Sequence, residues 1–169
     1  MRPPARYGTI PSPEPPAIAS LDGLAPRFRA SVEQVLTRMQ ALGFPTRVRE
    51  SLRTDKRQRW LYGFGRYYDD GRGIVTDAAT AHVSWHFYGL AVDFENTQTL
   101  TDQGELDYRN ALVGSVDTMG LRSGSGFARL NDWDHAQFGL HMRVSPSPLA
   151  YALYVTGGNQ AVWKAVGAA

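Results

Sequence analysis

At 169 residues and 43% hydrophobic, the chain is long and apolar enough to form one compact domain, with roughly two-thirds of its unfolded surface buried. It contains no cysteine, so disulfides and thiolate metal ligands are excluded, and any metal must bind His, Asp, Glu or water. The net charge of +2 comes from cations scattered among acids rather than gathered in a run, which argues against a nucleic-acid partner.

The chain begins with a proline-rich segment. Residues 1–22 predict an extended arm, followed by a single domain at residues 23–169. The arm lacks the continuous apolar stretch of a secretory signal, and no run in the chain is long enough to span a bilayer. We therefore expect synthesis in the cytoplasm without a signal peptide, and a monomer.

Apolar spacing predicts the first elements of the domain. Apolar residues recur at helical spacing from Pro26 and stop before Gly43, which indicates a helix packed on the core. Residues 46–52 alternate as in a short strand, and Thr54 then offers the cap of a second helix. The glycines of residues 63–73 have no phosphate-binding spacing, so we expect a flexible rim loop there.

A strand and a helix are predicted next. Residues 89–94 alternate in polarity, which indicates a strand with Asp93 on the face opposite the core. Residues 106–119 show helical spacing that ends at Gly120. A loop containing Gly124 would lead from this helix to the next strand.

The last predicted strand runs from His135 to Val144, with His135, Gln137 and His141 on its site-facing side. A C-terminal helix would begin at Pro148. The predicted fold class is therefore α+β, a small, mainly antiparallel sheet with helices packed on one side. The core-facing residues of the last strand would be Ala136, Phe138, Leu140, Met142 and Val144.

Two short motifs carry the candidate chemistry. Two imidazoles and one carboxylate suit a catalytic zinc, which keeps three protein ligands and leaves its fourth position to water or substrate. The motifs therefore predict a zinc hydrolase with ligands His86, Asp93 and His135. They read Ser84-Trp85-His86-Phe87-Tyr88-Gly89-Leu90-Ala91-Val92-Asp93 and Asp132-Trp133-Asp134-His135.

Neighbouring residues compete for these roles. Hydrolysis also needs a general base for the metal-bound water, and Asp132, three residues before His135, is a candidate. Asp134 adjoins His135 and is an alternative base, or a partner that orients a ligand. His82 and His141 are further candidate ligands, because zinc accepts any well-placed nitrogen. Four aromatic residues would either line a cleft or pack in the core. These are Trp85, Phe87, Tyr88 and Trp133.

This arrangement resembles the zinc peptidase family of D-alanyl-D-alanine carboxypeptidases and L-alanyl-D-glutamate endopeptidases, which cut peptidoglycan peptides. The resemblance implies a small antiparallel sheet that holds the metal, as in the hedgehog and D-alanyl-D-alanine peptidase fold. Three segments carry it. They are Ser84-x-His86-x-x-Gly89-x-Ala91-x-Asp93, Asp132-x-x-His135, and an upstream set of Arg53, Gln58, Leu61-Tyr62, Gly65-Arg66 and Ile74-Val75-Thr76.

The resemblance also implies residue roles. His86, Asp93 and His135 would hold Zn²⁺, and Asp132 would be the general base. Arg53 would bind a substrate carboxylate or polarise the scissile carbonyl. Four further residues would bind substrate or orient a ligand. They are Ser84, Gln58, Tyr88 and Trp133.

The implied function is hydrolysis of peptidoglycan stem peptides by metal-activated water. The sequence of residues 61–76 is most similar to that of L-alanyl-D-glutamate endopeptidases of the endolysin type, which act on the cell wall after phage-assisted release. A D-alanyl-D-alanine carboxypeptidase is the alternative within the enzyme class. A non-catalytic, zinc-containing module that binds cell wall is the alternative outside it, and such a module is expected to lack the base. The chain departs from the family at Ala136, where a large aromatic residue is usual.

Overall fold

A computed structural model describes residues 7–169, so the first six residues of the predicted arm lie outside it. Within residues 7–169, four strands form one antiparallel sheet that is accompanied by four α-helices, which confirms the predicted α+β class. The strands are β1 (Thr46–Glu50), β2 (Ala91–Asn96), β3 (Arg122–Gly124) and β4 (Asp132–Gln137). The helices are α1 (Pro26–Ala41), α2 (Asp55–Gly63), α3 (Asp102–Thr118) and α4 (Pro148–Val166). The strand order is β1-β2-β4-β3.

The predicted helices form where the sequence places their caps. Pro26 opens α1, where its missing N–H costs nothing, and Gly43 follows the helix in a left-handed conformation. The Thr54 side chain caps α2 by accepting a hydrogen bond from the backbone N–H of Arg57. Pro148 occupies the first turn of α4.

The main core lies between the sheet and helices α1, α3 and α4. Helix α1 buries one stripe at helical spacing, and β2 contributes Val92 and Phe94, with Leu90 directly before the strand. Trp163 of α4 donates its indole N–H to the carbonyl of Tyr88 at 2.6 Å, which ties the C-terminal helix to the segment before β2. The buried stripe of α1 consists of Phe28, Val32, Val35 and Met39.

Residues 7–22 run along the domain and contact it at several points. Trp60 donates to the carbonyl of Pro11, and the hydroxyl of Ser51 lies 2.8 Å from the carbonyl oxygen of Ile18. A second cluster of buried residues forms beneath this segment around α2, and Ile10 packs against it. The division into an arm at residues 1–22 and a domain at 23–169 stays a prediction. The cluster consists of Trp60, Leu61, Phe64 and Tyr68.

The prediction for the last strand was wrong in its extent. Strand β4 begins before His135, at Asp132, and ends at Gln137. Gly139 adopts a left-handed conformation with φ +75°, which turns the chain away from the sheet. Leu140 and Val144 are consequently about half exposed, at 48% and 46%, rather than core-facing.

The loop predicted around Gly124 contains strand β3 instead. This strand has only three residues, and its serine and glycine give no alternating pattern. It pairs antiparallel with β4, where Ser123 lies opposite Ala136. A Cβ atom at Gly124 would overlap the backbone oxygen of Asp132, so glycine allows the two strands to approach here.

Helix α4 is interrupted. Gly157 and Gly158 have non-helical backbone angles, which divide the helix into two parts, and Gly167 ends it in a left-handed conformation. Among residues 7–169, no helix is both long and apolar enough to cross a bilayer.

Candidate metal centre

Two strand positions and one short helix bring the predicted ligands together. His86 lies in the 3₁₀ helix Trp85–Tyr88, which ends at Gly89 in a left-handed conformation and leads directly into β2. Asp93 and His135 are register partners across the antiparallel pair of β2 and β4. Residues opposite each other on one face of such a pair have neighbouring side chains. The three ligand candidates therefore meet near the centre of the sheet.

The three side chains converge on a single point. Oδ1 of Asp93 lies 3.3 Å from Nε2 of His86 and 3.0 Å from Nδ1 of His135. One ligand atom from each residue lies within 4.8 Å of the other two. All three side chains are buried, with 2% of His86, 5% of Asp93 and 7% of His135 exposed. Burial removes competing water and makes the cluster a defined site.

The donor set fits one metal ion that takes nitrogen and oxygen ligands. Tetrahedral ligands bound at about 2.0–2.1 Å lie roughly 3.4 Å apart, which is close to the distances from Oδ1 of Asp93 to the two imidazole nitrogens. His86 donates its Nδ1–H to the carbonyl of Ser51 at 2.7 Å, so its Nε2 lone pair points toward Asp93. Metal-binding imidazoles generally have their other nitrogen held in this way.

The second imidazole has a corresponding partner in Gln137. Nε2 of His135 lies 3.4 Å from Oε1 of Gln137, while Nδ1 faces Asp93. The amide of Gln137 is oriented by its own donation to the carbonyl of Arg143 at 2.7 Å, and Trp85 donates to the same carbonyl at 2.9 Å. Gln137 is fully buried, and this network fixes which of its amide atoms faces the imidazole.

The charge state of the cluster is set by burial and by its partners. Burial alone would raise the pKa of Asp93, but the hydrogen bond from His135 and the charge of Arg53 outweigh it. The pKa of Asp93 is therefore held well below its usual range. Burial lowers the pKa of His86, which favours its neutral, metal-binding form. Burial also acts to lower the pKa of His135, but the hydrogen bond and charge of Asp93 raise it overall.

Arg53 lies directly behind the carboxylate ligand. Its Nη2 donates to Oδ2 of Asp93 at 2.9 Å and to Oε2 of Glu50 at 2.7 Å, and Nε donates to the same Glu50 oxygen at 3.0 Å. Its Nη1 donates to Oε1 of Gln58 at 3.2 Å. Only 9% of Arg53 is exposed. Arg53 thus holds the oxygen of Asp93 that faces away from the imidazoles.

Two carboxyl groups lie beside the cluster on β4. Burial, and next the charge of Asp93, raise the pKa of Asp132 to about 7. Burial and the charge of Asp93 also raise the pKa of Asp134. Asp134 forms an ion pair with Arg49, whose Nη2 lies 2.9 Å from Oδ2 of Asp134 and 3.8 Å from Oδ2 of Asp93.

A cleft with a volume of about 690 Å³ opens onto the cluster, within the range usual for ligand sites. His86, Asp93 and His135 all line it, and so do Asp132 and Ser84. Its wall also carries apolar and cationic side chains. These include Leu61, Val75, Phe127, Val144, Arg49, Arg57, Arg72 and Arg129.

The remaining predicted residues divide between the cleft and the core. Gln58 is buried beneath Arg53 and donates to the carbonyl of Ala78 at 2.6 Å. Tyr88 is fully buried and donates its hydroxyl to the carbonyl of His82, and Trp133 packs against Tyr108. Neither Tyr88 nor Trp133 is among the residues that line the cleft.

The alternative ligands lie elsewhere within residues 7–169. The ring of His82 packs at a tilt against that of Tyr151, with ring centroids 4.6 Å apart, and His141 is exposed in the turn after β4. Neither belongs to the metal-binding group. Three residues that sequence reasoning did not select do contact the site, namely Arg49, Glu50 and the carbonyl of Ser51. No motif marks them, although they lie only two to four residues before the predicted Arg53.

Neither a protein-family profile nor a curated protein sequence matches this chain. The solved structures that are similar to it include two at 20% sequence identity. One is the L-Ala D-Glu endopeptidase ChiX of Serratia marcescens, with a TM-score of 0.49 over 70% of this chain and 82% of that one. The other is the LD-carboxypeptidase LdcB, described for its recognition of peptidoglycan, with a TM-score of 0.48 over 70% of this chain and 66% of that one.

Proposed function

We propose that this protein is a zinc-dependent peptidoglycan peptidase, and specifically an L-alanyl-D-glutamate endopeptidase of the endolysin type. The observation that carries the proposal is the convergence of His86, Asp93 and His135 in one cleft that also contains Asp132. On this proposal the substrate is a peptidoglycan stem peptide, and the protein reaches the cell wall through phage-assisted release.

Each residue has a defined task in the proposed reaction. Bound zinc would lower the pKa of a coordinated water to about 7 and would polarise the scissile carbonyl. Asp132 takes the proton of the attacking water on its carboxylate and then gives it to the leaving amine. In the metal-free protein its pKa is raised to about 7 by burial, and a bound zinc ion would lower it toward the carboxylate form that accepts the proton. Arg53 holds Asp93 in place, and a guanidinium at this position also favours negative charge on the carbonyl oxygen.

Two other functions use the same residues differently. A D-alanyl-D-alanine carboxypeptidase would require the same metal and base but would remove only the terminal alanine. A non-catalytic binding module would require the metal without the base, and the presence of Asp132 in the cleft argues against it.

Mass spectrometry of muropeptides after digestion with zinc-loaded protein tests the proposal. We expect new amino termini at D-glutamate, which identify cleavage after L-alanine. Loss of one terminal alanine would instead establish the carboxypeptidase. Binding to purified cell walls without any new termini would establish the binding module.

Substitution separates the base from the ligands. We expect Asp132→Asn to retain bound zinc and to lose about 10²- to 10⁴-fold in turnover, because proton transfer is impaired. His86→Ala should lose zinc as well, as measured by metal analysis of the purified protein. Asp134→Asn is the matched control on the same strand. Greater loss of turnover in Asp134→Asn than in Asp132→Asn would move the base to Asp134.

A further inference from the structure

We propose that Arg49 binds a free carboxylate of the peptide substrate, next to the scissile bond. This inference rests on the proposed function and adds a determinant of specificity to it. No motif includes Arg49, and the site chemistry described above does not use it. Its location follows from an irregularity in β1 that the sequence does not signal.

A β-bulge directs Arg49 into the cleft. Val48 pairs with Phe94 and Glu50 pairs with Asp93, so β1 has one more residue than β2 between these pairs. Arg49 is this extra residue. Bulges redirect side chains and occur frequently beside active sites. Here the bulge places the guanidinium of Arg49 against Asp134 and near Asp93, on the wall of the cleft.

Arg49 and Arg53 differ in how fully their donors are used. All three nitrogens of Arg53 donate to protein acceptors, and its side chain is 9% exposed. The Arg49 side chain is 47% exposed, and its contacts with Asp134 and Asp93 both run through Nη2. Within residues 7–169, neither Nε nor Nη1 of Arg49 makes a hydrogen bond. Nε and Nη1 lie on opposite edges of the planar guanidinium, and each can pair with Nη2 to hold a carboxylate with two hydrogen bonds. Such a grip therefore requires Nη2 to share or exchange its contact with Asp134.

The pairing of Arg49 with Asp134 does not prevent substrate binding. The Arg49 side chain is 47% exposed and that of Asp134 is 16% exposed, so water screens this ion pair in part and it is weaker than a fully buried pair. Arg49 can therefore exchange or share Asp134 with an incoming carboxylate at small cost. Asp132 and Asp134 lie nearby and repel anions, so a carboxylate is accepted here only where the guanidinium of Arg49 binds it. We therefore expect the ligand to be an acidic peptide whose carboxylate reaches Arg49.

Paired substrates test this inference. The probes are synthetic L-alanyl-D-glutamyl peptides whose free glutamate carboxylate is either retained or converted to the carboxamide. For the wild-type protein we expect a KM about 10- to 100-fold lower for the acidic peptide than for the amide, the effect of a hydrogen bond to a charged group. Arg49→Gln should remove this preference by raising KM for the acidic peptide alone, with kcat and zinc content nearly unchanged.

Arg47→Gln is the matched control. Arg47 lies on the same strand and pairs with Glu95 at 2.6 Å, but its side chain is 69% exposed and does not line the cleft. Arg47→Gln should keep the wild-type preference for the acidic peptide. Arg49→Lys should keep only part of it, because lysine lacks the planar guanidinium that holds a carboxylate with two hydrogen bonds.

The outcomes separate the two proposals. If the wild-type protein cleaves both peptides and Arg49→Gln keeps the preference, Arg49 does not bind the carboxylate, although the peptidase function stands. Loss of the preference in Arg129→Gln instead would likewise overturn the assignment, because Arg129 also lines the cleft. If wild-type protein cleaves neither peptide nor purified cell wall, the proposed function fails, and this inference fails with it.

Discussion

In each imidazole of the site, the ring nitrogen that does not face Asp93 contacts a different kind of hydrogen-bond acceptor. The backbone carbonyl of Ser51 accepts the Nδ1–H of His86, whereas a side-chain amide, that of Gln137, faces Nε2 of His135. A backbone acceptor is present whatever the residue at position 51, but the amide acceptor depends on glutamine. The orientation of His135 is therefore the part of the site most open to a single substitution.

Replacing Gln137 tests this dependence. We expect Gln137→Leu to weaken zinc or cobalt binding by about 10- to 100-fold, because His135 loses the acceptor that fixes its tautomer. Gln137→Glu keeps an acceptor oxygen and should restore most of the affinity. Competition titration with a chromophoric chelator measures both values.

Gln58→Leu is the control for the burial of a glutamine. Gln58 is as fully buried as Gln137 but hydrogen-bonds to Arg53 rather than to a ligand. Its replacement should reduce stability while changing metal affinity less. Equal loss of affinity in the two leucine variants would mean that Gln137 acts only through packing.

At the level of elements, Gly89 connects two ligand-bearing segments. It ends the 3₁₀ helix that carries His86 and precedes the strand that carries Asp93, with φ +65°. A Cβ atom here would overlap the backbone oxygen of Gly23. Glycine is thus required for its conformation and for this close backbone approach.

Alanine substitutions separate these two requirements. Gly120 also has a positive φ, +71°, but a Cβ atom there would meet no atom within 4 Å. We expect Gly120→Ala to reduce the free energy of unfolding by about 1 kcal/mol, the cost of the left-handed conformation. Gly89→Ala should cost roughly 3 kcal/mol or more, since backbone must also move, and it should weaken metal binding. Denaturant unfolding measures the difference, and equal losses would remove the role of the close approach.

How far the sequence predicted these elements depends on the signal each one carries. Helix α1 has a long periodic stripe and clear ends, and it was predicted within two residues. Strand β3 has three residues and no periodicity, so only its pairing with β4 defines it. The apolar alternation after Gln137 suggested a continued strand, but Gly139 turns the chain, and no pattern distinguishes that turn from a strand.

The site was predictable to the same extent. The spacing of His86, Asp93 and His135 identified a metal-binding group, because such chemistry requires those residue types. The acceptor from Ser51 is a backbone atom, so its residue type gives no signal. Arg49 is placed by a bulge, which arises from strand pairing over 40 residues apart in sequence and not from local pattern.

Across the whole molecule, the N-terminal segment is linked to the metal-binding group through Ser51. The hydroxyl of Ser51 lies 2.8 Å from the carbonyl oxygen of Ile18 and 2.6 Å from that of Ser20, and its N–H donates to Ile18. The carbonyl of the same residue accepts from His86. The N-terminal segment therefore holds Ser51 in place and, through Ser51, helps to orient the ligand His86.

The buried acid of the cleft also affects the stability of the whole molecule. Burial and the charge of Asp93 raise the pKa of Asp132 to about 7, whereas the pKa of an aspartate in the unfolded chain is about 4. Between these values the folded state binds more protons than the unfolded state. The free energy of unfolding contributed by Asp132 therefore falls as the pH rises through this window.

Substitution isolates this contribution in metal-free protein. With a chelator present, Asp132→Asn removes the titrating group. The free energy of unfolding of this variant should therefore increase relative to that of the wild type from about pH 4 to about pH 7. Asp117→Asn, an exposed change on α3, should follow the wild-type curve across the same range. Urea unfolding at several pH values measures the three curves. Parallel curves for Asp132→Asn and wild type would mean that folding does not raise the pKa of Asp132, and a raised pKa would then not explain its role as the base.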